Sequence, residues 1–541
     1  MSSFATPAAP QRGAMLNLIR RLHFYIGLFV APFILIAALT GTLYVLTPQL
    51  ENALYRDALF TQPQGQAKPL AGQIAAARRH VGPEARIYAI RPAPEATDTT
   101  RVQFVDPALG ASESRAIFVD PYTLAIRGDM AVYGTSGVLP LRTWLDKLHS
   151  SLLLGDPGRN YSELAASWLW VAALGGVALW LGTRPRRKAR RVNGRFAVSR
   201  HWHITLGIVL LAGLLFFSAT GLTWSQWAGG NIDALRSGLG WLTPQVNTSL
   251  RDDAATPADP HAEHRGADMA GMVMPVNAAN GDWEKALQAA RAAGIDAARV
   301  ELRQPKGEGK AWTVSEVDRS WPTQVDAVAL APRHFSVIDQ VRFDKFPLIA
   351  KLTRWGIDAH MGVLFGLANQ LMLAAFGLGL CVMIGLGYRM WWLRRPAAGE
   401  ANPVHTLFAA WLALSGAGRC VTLLVALTLG YALPLMGGSL LAFMSADVLR
   451  WRSGRAAPLS ARQSAARKFL LAVATVAVII GGILGKAILG GMVDQYQVPF
   501  GDWSAQMYVM QSMMVLLYTL VFTGLLSIPL WYFFLGENQA R

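Results

Sequence analysis

Four of the chain's ten histidines stand where they could hold a metal-centred cofactor. Arg20-x-x-His23-x-x-x-Gly27 recurs as Arg200-x-x-His203-x-x-x-Gly207, and Thr40-Gly41 recurs as Thr220-Gly221, each 180 residues later. A second set recurs without gaps at an offset of 211: Trp144/Trp355, His149/His360, Gly155/Gly366, Trp180/Trp391, Arg184/Arg395 and Pro185/Pro396. A duplicated chain brings equivalent positions together across a pseudo-twofold axis. That predicts two histidine pairs, His23 with His203 and His149 with His360. Two facing imidazoles from different helices are the usual ligands of a six-coordinate, electron-transferring b-type haem. Neutral imidazole nitrogen suits iron, and an apolar bundle shields the porphyrin. Gly27 and Gly207 follow their histidines by four residues, on the same helix face, where a missing side chain admits a flat macrocycle. Gly41 and Gly221 lie 18 residues beyond the histidines, five turns on and roughly 27 Å away. One face is thus cleared at two depths, as two haems b with two histidine ligands each would require. His201 lies two residues before His203 on a different face and competes with it, as a spare, a propionate partner or the true ligand. Taken singly, each histidine also fits a headgroup-bonding role at a membrane interface, with the glycines serving close helix packing. Their repetition in two contexts favours ligation.

The elements that position these residues are membrane helices. Apolar residues make up 52% of the 541 and charged residues 16%, against roughly 25% charged in an ordinary soluble domain. The net charge of +16 is clustered, with eight Lys/Arg between Arg184 and Arg200, beside apolar runs. That pattern reads as membrane topology rather than a nucleic-acid surface. A spanning helix needs about 20 mostly apolar residues. Seven segments qualify: 24–46, 164–182, 204–226, 361–388, 421–447, 469–491 and 508–535. The first is too long for a signal-peptide core and lacks a small-x-small cleavage site, so it reads as an anchor. Positive charges at Arg20 and Arg21, in the basic loop 183–203 and in the loop 389–420 place the N-terminus (1–23) and both loops in the cytoplasm. The long loops 47–163 and 227–360 then lie in the periplasm. Strict alternation would put the basic stretch 449–468 outside, a conflict that a re-entrant fifth segment broken at Pro434 would remove.

Each long loop reads as a small α+β domain. The first has a helical stretch at 70–81 and strand-like runs at 86–91, 101–105, 115–119 and 124–127. The second has a helical stretch at 283–293 and runs near 298–303, 311–317, 324–330 and 334–341. From His149 to Arg184 is too long for one membrane helix, and Gly155-Asp156-Pro157-Gly158 predicts a break after the histidine. The polar stretch 242–282 holds an insertion in which His261, His264, Met269, Met272 and Met274 could bind a soft metal such as Cu(I). A linker that merely carries them is the plainer reading. Cys381 and Cys420 read as packing thiols, and the absence of C-x-x-C-H excludes covalent haem attachment.

These motifs resemble the PepSY-associated transmembrane proteins, described as iron-regulated or iron-uptake membrane proteins. The resemblance rests on Arg-x-x-His-x-x-x-Gly opening a span that closes in Thr-Gly, and on Asp120-Pro121-Tyr122-Thr123. It rests further on Leu148-His149-x5-Gly155 and on Trp355-Gly-x-Asp358-Ala359-His360-Met361-Gly362, and it covers about 15–396. Leu433-Pro434-Leu435-Met436-Gly437-Gly438-Ser439-Leu440-Leu441 is similar to a fifth-span motif of longer members. The resemblance implies a polytopic α-helical protein of the bacterial inner membrane, an internally duplicated helix–PepSY–helix unit with two periplasmic α+β PepSY domains. For the ferrioxamine-reductase type it implies haem-carrying spans that reduce ferric siderophore in the periplasm, with His23, His149, His203 and His360 as ligands. The expected function is electron transfer from a cytoplasmic or quinol donor. The alternatives are a metal or siderophore transporter without redox chemistry, and a PepSY regulator that binds a periplasmic partner. No Gly-x-Gly-x-x-Gly makes a convincing nucleotide site.

Overall fold

The computed structural model describes residues 13–110, 112–134, 136–183, 194–250, 278–394, 406–453, 462–490, 493 and 499–534. The chain divides into two compact units. One comprises Leu43–Lys147 and Asp233–Ala374; the other comprises Met1–Thr42, Leu148–Ile232 and Ala375–Arg541.

The first unit is built on an eight-stranded sheet. Its strands are β1 (Ile87–Arg91), β2 (Thr100–Phe104), β3 (Glu113–Val119), β4 (Ile126–Tyr133), β5 (Val300–Arg303), β6 (Trp312–Glu316), β7 (Ala327–Leu330) and β8 (Val337–Val341). The order is β4-β3-β2-β1-β5-β6-β7-β8, antiparallel throughout. Two four-stranded meanders therefore meet edge to edge at β1 and β5, where Ile90 faces Leu302. Each is preceded by a helix, Leu70–Val81 or Asn280–Ala292. The first matches the expected boundaries and the second begins three residues earlier than expected. The two helices and one face of the sheet share a core that includes Ile74, Val102, Ile117, Trp283, Leu302 and Val314. Joining the two edge strands hides backbone groups that would otherwise invite aggregation.

Buried charge crosses the β1–β5 seam. Arg91 donates from Nε and Nη2 to Glu301 Oε2 at 2.8 and 2.5 Å, and Arg303 Nε donates to Glu301 Oε1 at 2.7 Å. The Asp120-Pro121-Tyr122-Thr123 motif is a turn before β4: the Asp120 carboxylate accepts from the amides of Tyr122 and Thr123 and from Thr61 Oγ1.

The second unit is helical. Among the described residues five helices are long and apolar enough to cross a membrane: Ala14–Val45, Gly155–Gly182, Gly366–Leu393, Phe469–Gly490 and Ala505–Ile528. A sixth span arises if Arg195–Val209 and Leu211–Thr223, bent by 60°, count as one. This differs from the seven expected. The segment 421–447 is two shorter helices, Gly416–Ala432 and Pro434–Ser453, because Pro434 cannot donate the amide that would continue the first. They turn back on each other so tightly that a Cβ at Gly437 would meet Gly430 Cα at 2.7 Å. Asp447 on the second helix accepts from Tyr25 Oη and, at 2.7 Å, from the Phe408 amide. The first span starts ten residues earlier than expected, which puts His23 inside it.

Burial opposes the charge on Glu301, but Arg303 and Arg91 outweigh it and hold the carboxyl below the 4.5 of a free glutamate. A depressed folded-state pKa contributes stability that is complete above the unfolded value and is lost as pH falls through the folded one. Glu301→Ala leaves the partly buried Arg91 and Arg303 without their shared carboxylate, at a cost of about 1–3 kcal/mol. Thermal unfolding in detergent should show a clear Tm loss for the variant at pH 7 that narrows below pH 4.5; equal losses at both pH values would contradict the assignment.

Candidate functional site

His23 and His203 come together inside the helical unit. Their ring centres are 6.4 Å apart with planes at 82°. His23 rides on Ala14–Tyr25, immediately before a π-helical turn at Ile26–Val30. His203 rides on Arg195–Val209, just before the 60° bend. Wide turns and bends of this kind recur where a helix aims a side chain at a site. Neither residue is fully covered.

The surroundings of the two rings repeat. His203 Nδ1 donates to the Met383 carbonyl at 2.9 Å, which leaves the lone pair on Nε2. The counterpart of Met383 at the 211 offset is Ala172; His23 Nδ1 is buried without a hydrogen bond among the described residues. Each ring lies against a glycine. A Cβ at Gly176 would meet His23 Cε1 at 3.4 Å, and one at Gly387 would meet His203 Cε1 at 3.6 Å. These two glycines, also 211 apart, were missed in the sequence, although the same offset marks them.

His149 ends the helix Pro140–Ser151. Its Nδ1 lies 3.0 Å from Thr40 Oγ1. The Thr40 hydroxyl already donates to the Ile36 and Ala37 carbonyls, so it accepts from Nδ1–H and the lone pair falls on Nε2. Burial pushes this imidazole down to about 4, so it is neutral at pH 7. Gly41 gives it room: a Cβ there would meet His149 Cε1 at 3.1 Å. The Thr-Gly pair therefore seats a histidine. The chain then breaks, as expected, through Leu152, Leu153 and Gly155, all with positive φ. Tyr161 Oη and Ser162 Oγ donate to the carbonyls of His149 and Ser150, which end a helix and lack partners within it.

Of the four glycines expected to clear one face, Gly27 has open space beside it; a Cβ at Gly207 would make ordinary contact with Met383 Sδ at 3.6 Å, one at Gly221 would meet Ala166 Cβ at 3.2 Å, and one at Gly41 would meet the His149 ring. A π-helical turn interrupts the first span, and a bend separates Arg195–Val209 from Leu211–Thr223. His201 is exposed, with its ring against Trp202, and is not brought to His23.

His360 belongs to the sheet unit, at the end of Leu348–His360. Its motif is built around Asp358, fully buried between Arg319 Nε at 2.6 Å and Arg354 Nε at 3.2 Å. The Asp358 carbonyl accepts from the amides of Val363 and Leu364, and Gly362 takes the positive φ that this turn demands. His261, His264, Met269, Met272 and Met274 lie outside the described residues. Among the described residues no cluster of three or more His, Cys, Asp or Glu could hold a metal ion; a site with two axial imidazoles is of a different kind.

Comparison with known proteins divides the chain into two parts. The model of the PepSY-associated TM region matches residues 20–394, and that of a protein of unknown function, DUF2534, matches 460–538. The uncharacterized protein YnaJ of Escherichia coli K12 is 42% identical over 73 residues, which are 14% of this chain and 86% of YnaJ. Its counterpart in Escherichia coli O157:H7 matches to the same extent.

Two identical substitutions should have opposite effects on cofactor-free protein. Gly41→Ala crowds the His149 ring and costs about 1–3 kcal/mol by overpacking. Gly27→Ala meets nothing and gains up to about 1 kcal/mol of helix propensity. Thermal unfolding in detergent checks the contrast; equal Tm shifts would refute the placement of His149 against Gly41.

Proposed function

Because the chain belongs to the PepSY-associated transmembrane family, we propose that it is an inner-membrane electron-transfer protein that binds haem b and reduces periplasmic ferric siderophore. The observation that carries this reading is the His23–His203 pair. Their ring centres are 6.4 Å apart, and the two residues would hold the group by their ring nitrogens. Haem bound there would supply one-electron transfer.

The chain's own residues supply the rest. The Met383 carbonyl fixes His203 with Nε2 free, and the open side of Gly27 leaves space on the His23 helix. His149 is held in the same tautomer by Thr40. Its pairing with His360, for a second haem b, rests on the 211-residue repeat in the sequence alone. The electron comes from a cytoplasmic or quinol donor, and one electron converts Fe(III) to Fe(II). Siderophores hold Fe(III) with hard oxygen donors and Fe(II) far less well, so the transfer releases iron. The returning hairpin at 416–453 supports an arrangement in which the basic segment after it lies on the cytoplasmic side with the N-terminus, removing the conflict in the positive-charge rule.

Purified protein should show a sharp b-type α-band on reduction and a pyridine haemochrome count near two per chain. Ferric siderophore should reoxidise it, and His23→Ala and His203→Ala should lose the same component. Well-folded protein that carries no haem would sink the reading and leave transport or regulation.

A further inference from the structure

The 460–538 match coincides with a pair of helices, Arg462–Gly485 and Ala505–Phe534, and this hairpin packs at one informative place. Within the helical unit, its Leu484 and Ile488 are buried in a single apolar cluster with Leu152, Leu154 and Tyr161. From the second helix Phe522 stacks on Phe33 of the first span, ring centres 6.4 Å apart and planes at 25°. Other apolar side chains of the hairpin, such as Val478 at 75%, are exposed, as lipid-facing residues are.

The covered surface is the turn that follows His149. Leu152 and Leu153 have φ of 54° and 59°, a left-handed conformation in which the Cβ crowds the following carbonyl. Such strain persists only where packing over-determines it. Leu152 and Leu154 are 4% and 6% exposed, and the hairpin is part of what buries them. Tyr161, in the same cluster, donates to the His149 carbonyl. A separate family model matches 460–538, apart from the one that matches 20–394.

We propose that the C-terminal hairpin is a built-in subunit that clamps the turn after His149 and keeps lipid and water from it. The hairpin's apolar edge is the interface, and the linkage to the rest of the chain is dispensable once it has docked. The consequence for electron transfer rests on the reading of His149 as a haem ligand; the clamp itself does not.

The test uses the full-length chain with Cys381→Ala and Cys420→Ala, and Leu152→Cys as reporter. A membrane-permeant maleimide should label the reporter slowly, and Ile488→Asp with Phe522→Asp should speed labelling at least tenfold. Unchanged labelling overturns the proposal. In case the double variant does not accumulate, a protease site inserted between Ser453 and Arg462 is cut after purification. The hairpin should then co-elute with the remainder and the reporter stay protected; a hairpin that elutes separately overturns the proposal. In the labelling-sensitive variant, any haem component lost by His149→Ala should shift in midpoint potential while the His23-dependent component stays. Fast labelling without any His149-dependent haem upholds the clamp and removes the haem reading of His149.

Discussion

An imidazole set among membrane helices cannot rely on water for its N–H, and the rest of this structure follows from where that proton goes. At His203 a backbone carbonyl takes it, and at His149 a threonine hydroxyl does. At His203 this choice puts the lone pair on Nε2, the arrangement by which outer partners orient metal-bound histidine. Each choice also requires a neighbouring helix to come close, and glycine makes that approach possible at 41, 176 and 387. Helix bends, glycine positions and histidine tautomers are thus one solution to one problem.

Part of this was legible in the sequence because motifs recur. The 180 and 211 offsets mark His23, His149, His203 and His360, and strand-like runs overlap all eight strands, although the run 124–127 catches only the start of Ile126–Tyr133. Gly176 and Gly387 share the 211 offset and went unread because glycine in an apolar run carries no signal of its own. Span boundaries were harder. Hydropathy reports contact with lipid, whereas helix Ala14–Tyr25 runs through Arg20 and Arg21 before the apolar stretch begins. Pro434 did announce the break in the fifth segment. Gly155-Asp156-Pro157-Gly158 marks the break after His149, but the left-handed backbone of Leu152 and Leu153 is not readable from their residue type.

The two units distribute their polar residues differently. The sheet unit buries carboxylates beside arginines, with Glu301 between Arg91 and Arg303 and Asp358 between Arg319 and Arg354. In the helical unit Asp447 and Glu163 accept from backbone amides: Asp447 from Phe408, Glu163 from Trp227 and Ala228. Such acceptors fix helix ends in a low-dielectric setting where an unpaired group costs most. A frame held this way suits electron transfer, which gains from little reorganisation around the cofactor.

His23 and His203, with ring planes at 82°, would hold one haem iron between them. Electron paramagnetic resonance of the oxidised protein distinguishes the possibilities, because perpendicular imidazole ligands give a highly anisotropic low-spin signal and parallel ones a rhombic low-spin signal. An anisotropic component should be present and should be lost in His23→Ala and in His203→Ala alike. Absence of an anisotropic component in the unaltered protein, or two substitutions that do not remove the same low-spin component, would contradict the pairing.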